Sequence, residues 1–389
     1  MSSVMQGFPP NIRDQVTLEN WRTAPFNQWA FHHVREIVPS AIISNNPNDV
    51  WHLEKGKDLN SSIDIEHSMN ETSSDAMIVL QSGKLVKEIY RNGMDQTSPH
   101  ILMSVSKSIL GLIAGKLVEL KKIKLDDLIT SFIPALENTA YKGATIRHLL
   151  DMRSGIYFDE DYLKTDGPII DYRFASNWNP VPANWKPQNL RSFMSSLTET
   201  LQDHGNNFQY VSPNTDLLGW IFELATGTRY ADLVSELLWK PLGAETSGYI
   251  TVDRIGSARA AGGKCFSARD LARVGMMMAN SGKRENTRVI SKNWIDDIEN
   301  NGDSEAWKNG NFFETFNKRD MTYRSKWYIQ QTENPLIHAW GIHGQFLFVD
   351  RSKELSIACF SSQALPVDQI AMEKNFCSDR EHKDRIILI

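Results

Sequence analysis

The sequence predicts an α/β protein of the α+β type, in which an antiparallel sheet is flanked by helices and joined to a mainly helical region. Two observations lead to this prediction: strand-like runs occur near both ends of the chain, and helical periodicity dominates its middle. We therefore assign residues 1–100 and 265–389 to a discontinuous sheet region and residues 101–264 to the helical region. The active site is expected at their interface.

Strands are predicted from two segments that lie far apart in the sequence. In "AMIVLQSGKLVKEIY", residues 76–90, an apolar run ends at Ser82-Gly83 and alternation follows, which is typical of a hairpin. Near the other end, "LIHAWGIHGQFLFVDRSKELSIACFSS" predicts three strands, broken at Gly344 and at the charged turn of residues 350–354. Helix-like spacing returns in the C-terminal "VDQIAMEKNFCSDREHKDRIILI".

Helices are predicted in the middle of the chain from apolar periodicity that ends at glycine. The segments "IRHLLDMRSG", "NTDLLGWIFELATG" and "YADLVSELLWKPLG" have expected stops at Gly155, at Gly227, and at Pro241 with Gly243. Residues 159–187 are polar, aromatic and proline-bearing without clear periodicity, which predicts a long surface loop of the kind that forms lids.

The composition is that of a globular protein and argues against several classes of partner. Of 389 residues, 41% are hydrophobic and 23% charged, and 42 basic against 47 acidic residues leave no basic stripe for nucleic acid. The start "MSSVMQGFPPNIRDQ" has neither the basic start nor the apolar core that a secretory signal needs, and no window reaches the roughly 18 apolar residues of a membrane span. We expect no nucleic-acid partner, no membrane association and a cytoplasmic location.

The cysteines and histidines indicate neither a disulfide framework nor a metal site. Cys265, Cys359 and Cys377 are odd in number and lack metal-type spacing, so buried free thiols are predicted. The adjacent His32 and His33 point different ways on any regular element and have no third ligand nearby. No metal and no organic cofactor are expected.

The stretch "LMSVSKSIL", residues 102–110, places three serines around one lysine within an apolar run. If residues 104–120 form a helix, positions three apart share a face, whereas adjacent positions do not. Ser104 and Lys107 then share a face. Ser106 and Ser108 are predicted to have packing or supporting roles.

This pair has a chemical use only if the lysine is buried. A serine hydroxyl is a poor nucleophile until a base takes its proton, and an ammonium group with a pKa of about 10.4 cannot do so. The apolar "ILGLIAG", residues 109–115, predicts a helix that is buried on all sides. Desolvation then lowers the pKa of Lys107, and the first helical turn stabilises negative charge at Ser104. The alternative is that Lys107 reaches solvent and the serines are surface or capping residues.

Ordered blocks around this pair resemble one superfamily. In order they are "SVSKS", "ATIRHLLDMRSGI", "FQYVSPNTDLLGWIFELATG", "PLGAETSGYI", "AAGGKCFSARDLARVG" and "WGIHGQFLFVD". Their order and spacing resemble the serine β-lactamase and penicillin-recognising superfamily, and within it the 6-aminohexanoate-dimer hydrolase group, close to class C β-lactamases and β-lactamase-fold carboxylesterases. The resemblance runs from about Trp21 through the last strands and implies a serine β-lactamase-like fold.

The resemblance also implies roles for individual residues. Ser104 becomes the acylated nucleophile, Lys107 its base or proton-positioning partner, and Tyr210 the group that shuttles a proton to the leaving group. Tyr210 can do this if Lys107 favours its phenolate or a short hydrogen bond. The backbone N–H groups of Ser104 and Ile342 form the oxyanion hole. The implied substrate-binding residues are Tyr162, Trp178, Ser212, Ala261, Trp327, Tyr328, Trp340 and His343, of which the aromatic residues are equally compatible with packing and His343 is favoured as structural.

Departures from the superfamily pattern narrow the expected function. Ala339-Trp340-Gly341 stands where β-lactamases have Lys-Thr-Gly, so the cation that binds a β-lactam carboxylate is missing. Tyr-x-Asn is Tyr-x-Ser here. An acidic position and an asparagine associated with linear-amide hydrolysis correspond to Arg173 and Ala261, with Asp171 a potential substitute for the former.

Three functions remain open from the sequence. The favoured one is a serine hydrolase that acts through an acyl-enzyme on a small-molecule ester or a linear amide. The second is a β-lactamase or D-Ala-D-Ala peptidase-like enzyme, and the third is a non-catalytic binding protein on this fold. A homodimer is compatible with all three.

Overall fold

The computed structural model describes residues 3–58 and 64–376, and most of its strands are antiparallel partners in two sheets. The strands are β1 Ser40–Ile43, β2 Ser74–Gln81, β3 Lys84–Tyr90, β4 Pro99–Ile101, β5 Gly248–Thr251, β6 Lys264–Ser267, β7 Lys283–Arg284, β8 Thr287–Arg288, β9 Met321–Arg324, β10 Trp327–Gln330, β11 Leu336–Gly341, β12 Gln345–Asp350 and β13 Leu355–Ser361.

Helices occupy much of the chain between β4 and β9. The α-helices are α1 Phe26–Ala30, α2 Ile65–Glu71, α3 Val105–Glu119, α4 Ile129–Phe132, α5 Ile146–Leu150, α6 Pro168–Ala175, α7 Leu190–Met194, α8 Pro213–Thr226, α9 Tyr230–Val234, α10 Lys240–Leu242, α11 Ala268–Ala279, α12 Lys292–Asn300, α13 Ser304–Lys308 and α14 Gln369–Phe376. Short 3₁₀ turns cover Ile12–Asp14, Val34–Glu36 and Pro134–Asn138, and a π-helical turn covers Ser235–Trp239.

The large sheet joins the two ends of the chain, as the strand-like runs predict. Its seven strands have the order β3-β2-β13-β12-β11-β10-β9. The hairpin β2–β3 pairs with the last strand through β2, where Val79 lies opposite Ile357. Helix α11 packs on β2, β12 and β13, and Gly275 lets it approach Ser356 closely. Because these central strands are covered on both faces, they are continuously apolar instead of alternating.

The small sheet supports the start of α3. Its order is β1-β5-β6-β4, so β4, which leads directly toward Ser104, is held against β6. Strand β5 comes from the region predicted as mainly helical, and its residues are buried between β1 and β6. The pairing continues past β4, because Leu102 N donates to Lys264 O over 2.8 Å.

Two of the three predicted helix stops need correction. Helix α8 ends as predicted, with Gly227 at a left-handed φ of 70°. Helix α5 ends at Leu150, well before Gly155, because Met152 already has a left-handed φ of 54°. Gly155 instead allows a close backbone approach, since a Cβ there would lie 2.2 Å from Gln202 O. Pro241 does not stop its helix; it lies in the first turn of α10, and Gly243 forms the stop.

The predicted loop at residues 159–187 contains a helix. Helix α6 occupies Pro168–Ala175, and the side chains of Ile169, Tyr172 and Ala175 are buried. Its eight residues are too few for the periodicity to be evident within a polar, proline-bearing segment. The expectation of an irregular loop is therefore wrong for its central part.

Cys265 and Cys359 are buried free thiols, as predicted, whereas Cys377 lies outside the described residues. The part of the predicted C-terminal helix beyond residue 376 also lies outside them. Within residues 3–58 and 64–376, none of the helices combines the length and apolar character needed to cross a bilayer.

Candidate active site

The head of α3 combines a polar cluster with deep burial. The helix begins at Val105 with Ser104 as its N-cap, and twelve of its fifteen residues are buried, which confirms the prediction of an enclosed helix. Ser106 Oγ accepts a hydrogen bond from Lys264 N over 3.2 Å, and Ser108 Oγ donates to Lys326 O over 2.7 Å. These two serines therefore tie the helix to its surroundings and leave Ser104 as the serine that faces Lys107.

Lys107 contacts the Ser104 hydroxyl directly. Its Nζ donates to Ser104 Oγ over 2.7 Å and to Ala261 O over 2.9 Å. Lys107 is 2% exposed, so the alternative in which it reaches solvent is wrong. Burial lowers the pKa of Lys107 to about 7, although the negative charge of Glu160 works against this shift. At neutral pH a large fraction of the amine is uncharged and able to accept a proton.

A buried ion pair positions the carbonyl that Lys107 contacts. Ala261 N donates to Asp216 Oδ1 over 2.8 Å, and Asp216 Oδ2 accepts hydrogen bonds from Arg259 and from the Tyr172 hydroxyl. Sequence reasoning missed this network. The signal was Asp216, an aspartate directly before the apolar run of α8, because a carboxylate is compatible with burial only when a cation or several donors satisfy it.

Tyr210 lies on the other side of the Ser104 hydroxyl. Lys107 Nζ is 4.9 Å from the centre of the Tyr210 ring, and the tyrosine hydroxyl faces the side chains of Ser104 and Tyr328. Burial, and then the charge of Glu160, raise the pKa of Tyr210 well above its usual range. Tyr210 is therefore a neutral phenol at pH 7. The sequence analysis expected Lys107 to favour either a Tyr210 phenolate or a short hydrogen bond to the Tyr210 hydroxyl. The raised pKa argues against the phenolate, so the hydrogen-bonded phenol is the form that remains.

The end of β11 lies against the backbone of Ser104. A Cβ on Gly341 would be 2.9 Å from Ser104 N and 2.7 Å from Leu102 O, so this approach requires glycine. The next residue, Ile342, lines the same cavity as Ser104. Met103, just before Ser104, has a φ of 44°, a conformation that is costly for a side chain of this size and presents the serine on a sharp turn.

Ser104 opens onto a pocket, here called the serine cavity, whose empty space together with its open mouth is about 420 Å³. Four of the predicted substrate-binding residues line it: Tyr162, Trp178, Ser212 and Ala261. Charged residues that the sequence did not assign to binding line it too. These are Arg22, Glu160, Arg173 and Arg259.

A second and larger pocket, here called the apolar cleft, adjoins the serine cavity, and its empty space together with its open mouth is about 660 Å³. The two share Glu160 and Tyr162 as lining residues. Glu160 accepts hydrogen bonds from the Tyr162 hydroxyl over 2.7 Å and from Ser212 N over 2.7 Å, so it holds the boundary between them. Trp340, another predicted binding residue, lines the apolar cleft together with Phe312, Leu365, Pro366 and Val367.

The remaining predicted binding residues lie outside both cavities. Strand β10 turns Trp327 and Tyr328 to opposite faces: Trp327 packs in the main core, whereas Tyr328 lies behind Tyr210. His343 Nδ1 hydrogen-bonds to Gln363 O over 2.7 Å, and burial lowers the pKa of His343 to about 4. Trp327 and His343 thus act in packing. Asp171 does not line the serine cavity; it accepts a hydrogen bond from Trp185 Nε1 instead.

The chain is similar to known proteins over most of its length. The family model described as Beta-lactamase matches residues 64–374. The chain is 33% identical over 360 residues to the 6-aminohexanoate-dimer hydrolase of Paenarthrobacter ureafaciens, covering 91% of this chain and 90% of that protein. It is 30% identical over 156 residues to Esterase EstB of Burkholderia gladioli, covering 39% and 38%.

A solved structure, "Putative 6-aminohexanoate-dimer hydrolase from Bacillus anthracis", superposes with a TM-score of 0.83 at 26% identity, covering 93% of this chain and 95% of the other. The family match spans most of the chain, and a relative above 30% identity is aligned over nearly its full length. The chain belongs to the beta-lactamase family.

Proposed function

We propose that the protein is a serine hydrolase that cleaves carboxylic esters and linear amides through an acyl-enzyme on Ser104. The observation that carries the proposal is the 2.7 Å hydrogen bond between Lys107 Nζ and Ser104 Oγ, made by a buried lysine whose pKa is lowered to about 7. A neutral amine next to a hydroxyl on a sharp turn is the arrangement that nucleophilic catalysis needs.

Acylation follows from the positions of three side chains. Neutral Lys107 accepts the proton of Ser104 Oγ while this oxygen bonds to the substrate carbonyl carbon. The carbonyl oxygen takes up the negative charge, which the backbone N–H groups of Ser104 and Ile342 stabilise in this proposal. The carbon–oxygen or carbon–nitrogen bond then breaks, Tyr210 donates its proton to the leaving atom, and Lys107 returns a proton to Tyr210.

Deacylation repeats these steps with water in place of the serine. Water gives a proton to the neutral amine of Lys107 as it attacks the acyl carbon, and Ser104 leaves with a proton returned from this amine, directly or through the Tyr210 hydroxyl. The raised pKa of Tyr210 supports this assignment, because the phenol then carries a proton at neutral pH that it can donate. Protonation matters more for an amide than for an ester, because an amine leaves only when it is protonated.

Strand β11 disfavours the β-lactamase alternative. Ala339 and Trp340 on β11 provide no cation at the position where Lys-Thr-Gly would bind a carboxylate, and Trp340 instead lines the apolar cleft. The relatives named above as a dimer hydrolase and an esterase support the ester and amide assignment. The association of Ser104, Lys107 and Tyr210 disfavours a non-catalytic binding protein.

The test is a substrate panel with a nucleophile control. Purified protein and its Ser104→Ala variant are incubated with p-nitrophenyl butyrate, the linear 6-aminohexanoate dimer and a chromogenic cephalosporin. We expect turnover of the ester, slower turnover of the amide, and little of the cephalosporin, with a loss of roughly 10⁴-fold or more in the variant. Ester turnover that survives Ser104→Ala contradicts the mechanism, and so does a failure of a fluorophosphonate to label Ser104.

A further inference from the structure

Three arginines line the serine cavity, and two of them have no acidic partner. Arg259 is paired with buried Asp216. Arg22 and Arg173 also line the cavity, but neither forms an ion pair with a carboxylate anywhere in the described parts of the chain. The cavity therefore contains two guanidinium groups whose charge the protein does not compensate by direct contact.

The hydrogen bonds of these two arginines leave donors free. Arg173 Nη2 donates to Tyr162 O over 2.9 Å, and Arg22 Nη2 donates to Asn179 Oδ1. Arg22 Nε is buried without a partner. Each guanidinium has five N–H donors, so both can accept a further ligand.

Burial and mutual repulsion make this arrangement costly in the absence of a ligand. Burial, followed by the charges of Arg173 and Arg259, lowers the pKa of Arg22 to about 9. Burial also lowers the pKa of Arg173. Their guanidinium groups are nonetheless charged at pH 7, and an anion between them would relieve the repulsion.

The acidic residues near the cavity leave it with a positive balance. Glu160 lines the cavity, but its oxygens accept hydrogen bonds from Ser212 and Tyr162. Asp216 is occupied by Arg259 and Ala261. Three arginines against these two carboxylates give an excess of one positive charge, to which Lys107 adds when it is protonated.

The position of Tyr210 indicates which part of the substrate meets the arginines. In the proposed mechanism the leaving atom lies beside Tyr210, which gives it a proton. The Tyr210 ring stacks on Phe312 with centroids 4.4 Å apart, and Phe312 lines the apolar cleft. The leaving group is thus directed to the apolar cleft and the acyl chain to the serine cavity, where Arg22 lies 5.8 Å from the centre of the Trp178 ring.

We propose that the acyl part of the substrate ends in a carboxylate that Arg22 and Arg173 bind, so that the substrate is a half-ester or half-amide of a dicarboxylic acid with an apolar leaving group. Guanidinium groups suit this ligand because they bind carboxylates through two parallel hydrogen bonds. This inference rests on the proposed function, since it requires an acyl-enzyme on Ser104.

The experiment compares esters that differ in the charge at one end. Three p-nitrophenyl esters have acyl chains of similar length: hydrogen adipate is anionic, hexanoate neutral and 6-aminohexanoate cationic. A further pair consists of 4-carboxyphenyl hexanoate, which has the carboxylate on the leaving group, and phenyl hexanoate, which has none. We expect kcat/KM for the adipate half-ester to exceed that for the other two acyl esters by roughly 10- to 100-fold. No comparable gain is expected for 4-carboxyphenyl over phenyl hexanoate.

Variants then test the arginines themselves. In Arg173→Gln and Arg22→Gln, the ratio of kcat/KM for adipate over hexanoate should fall by roughly 10-fold or more, mainly through KM. Arg229→Gln, which changes an exposed arginine that lines neither the serine cavity nor the apolar cleft, should leave this ratio at the wild-type value.

Each other outcome overturns the inference in a recognisable way. Preference for the neutral or cationic acyl ester, or an unchanged ratio in Arg173→Gln and Arg22→Gln, removes the carboxylate site but leaves Ser104-dependent hydrolysis intact. A gain confined to 4-carboxyphenyl hexanoate places the anion on the leaving group and contradicts the assignment. If no ester shows turnover that depends on Ser104, the proposed function fails, and this inference fails with it.

Discussion

Lys107 and Lys326 are both buried lysines close to α3, but their surroundings differ. Lys107 lies in the first turn of the helix, where its amine contacts the Ser104 hydroxyl and one carbonyl. Lys326 lies in the turn between β9 and β10, where its amine donates to Leu149 O over 2.5 Å and to Met152 Sδ over 3.3 Å. Burial lowers the pKa of both lysines.

The comparison shows that burial alone does not make a lysine a catalytic base. The Lys326 amine meets a carbonyl and a thioether, neither of which has a proton to give. The Lys107 amine contacts the Ser104 hydroxyl, which faces the serine cavity. It also lies next to Tyr210, a second side chain that can carry a proton. What distinguishes the two sites is therefore the chemistry of the neighbouring atoms, and four experiments test this distinction.

Replacing each lysine by methionine should give the largest contrast. Lys107→Met removes the base, and we expect kcat for a p-nitrophenyl ester to fall by roughly 10³- to 10⁴-fold. Lys326→Met removes an equally buried amine, and we expect kcat within about threefold of wild type, because no reacting group contacts it. Circular dichroism and Tm verify that both variants are folded. Equal loss of activity in two folded variants would contradict the distinction.

Tyr210→Phe should have the next largest effect and should depend on the substrate. The ring keeps its stacking on Phe312, but the proton donor is lost. We expect kcat to fall by roughly 10²- to 10³-fold for a linear amide and less for a p-nitrophenyl ester, whose leaving group needs no proton. Tyr328→Phe is the matched control because it removes the hydroxyl that faces Tyr210 from behind. Equal losses for ester and amide would argue against a role of Tyr210 in protonating the leaving group.

Gly341→Ala tests whether the position of Ser104 matters as much as its chemistry. The added methyl group would lie 2.9 Å from Ser104 N, so the nucleophile or the strand must shift. A displacement of about 1 Å at a reacting atom lowers the rate by up to roughly 10²-fold, and we expect a loss of about 10- to 100-fold in kcat. Gly83→Ala provides a control in the β2–β3 turn, where a Cβ meets no atom within 4 Å and only the left-handed φ of 76° makes the change unfavourable. Unchanged kcat in Gly341→Ala would mean that β11 shifts to make room for the methyl group without displacing Ser104.

The change of pH should give the smallest change in rate among these four experiments. The reactive form of Lys107 is deprotonated, and its pKa is about 7. The neutral fraction therefore falls as the pH drops, so kcat/KM should decrease roughly tenfold per pH unit below about 7 and level off above it. The measurement uses a neutral ester between pH 5.5 and about 8.5, with Lys326→Met as control. A plateau that persists down to pH 5.5 would show that Lys107 is not the titrating base.

The features that depend on local sequence were largely predictable. The hairpin β2–β3 and the strands β11 to β13 follow from apolar runs, from the alternation in β3 and from the turn residues between them, and the partnership of Ser104 with Lys107 follows from helical spacing. The errors have local causes too. Gly155 was read as a helix stop because glycine commonly has that role, whereas here it permits contact with a distant segment.

The charged lining of the serine cavity could not be read from spacing. Arg22, Glu160 and Arg173 come from segments without regular periodicity, and Arg259 is recognisable as a partner of Asp216 only when α8 and the chain before β6 are brought together. The sequence pattern of one segment does not specify which residues of a distant segment it contacts in the folded protein. The same limit placed Trp327 in the predicted pocket, although strand alternation turns it into the core.

The sequence by itself determined the fold class, the burial of α3 and the pairing of Ser104 with Lys107, because apolar periodicity and residue spacing act over one or two helical turns. Only the tertiary structure decided the rest. The pKa of Lys107, the protonated state of Tyr210 and the unpaired charge of Arg22 and Arg173 depend on solvent exclusion and on charges from remote segments. Desolvation and Coulomb interactions act between atoms that are close in space, whatever their separation along the chain.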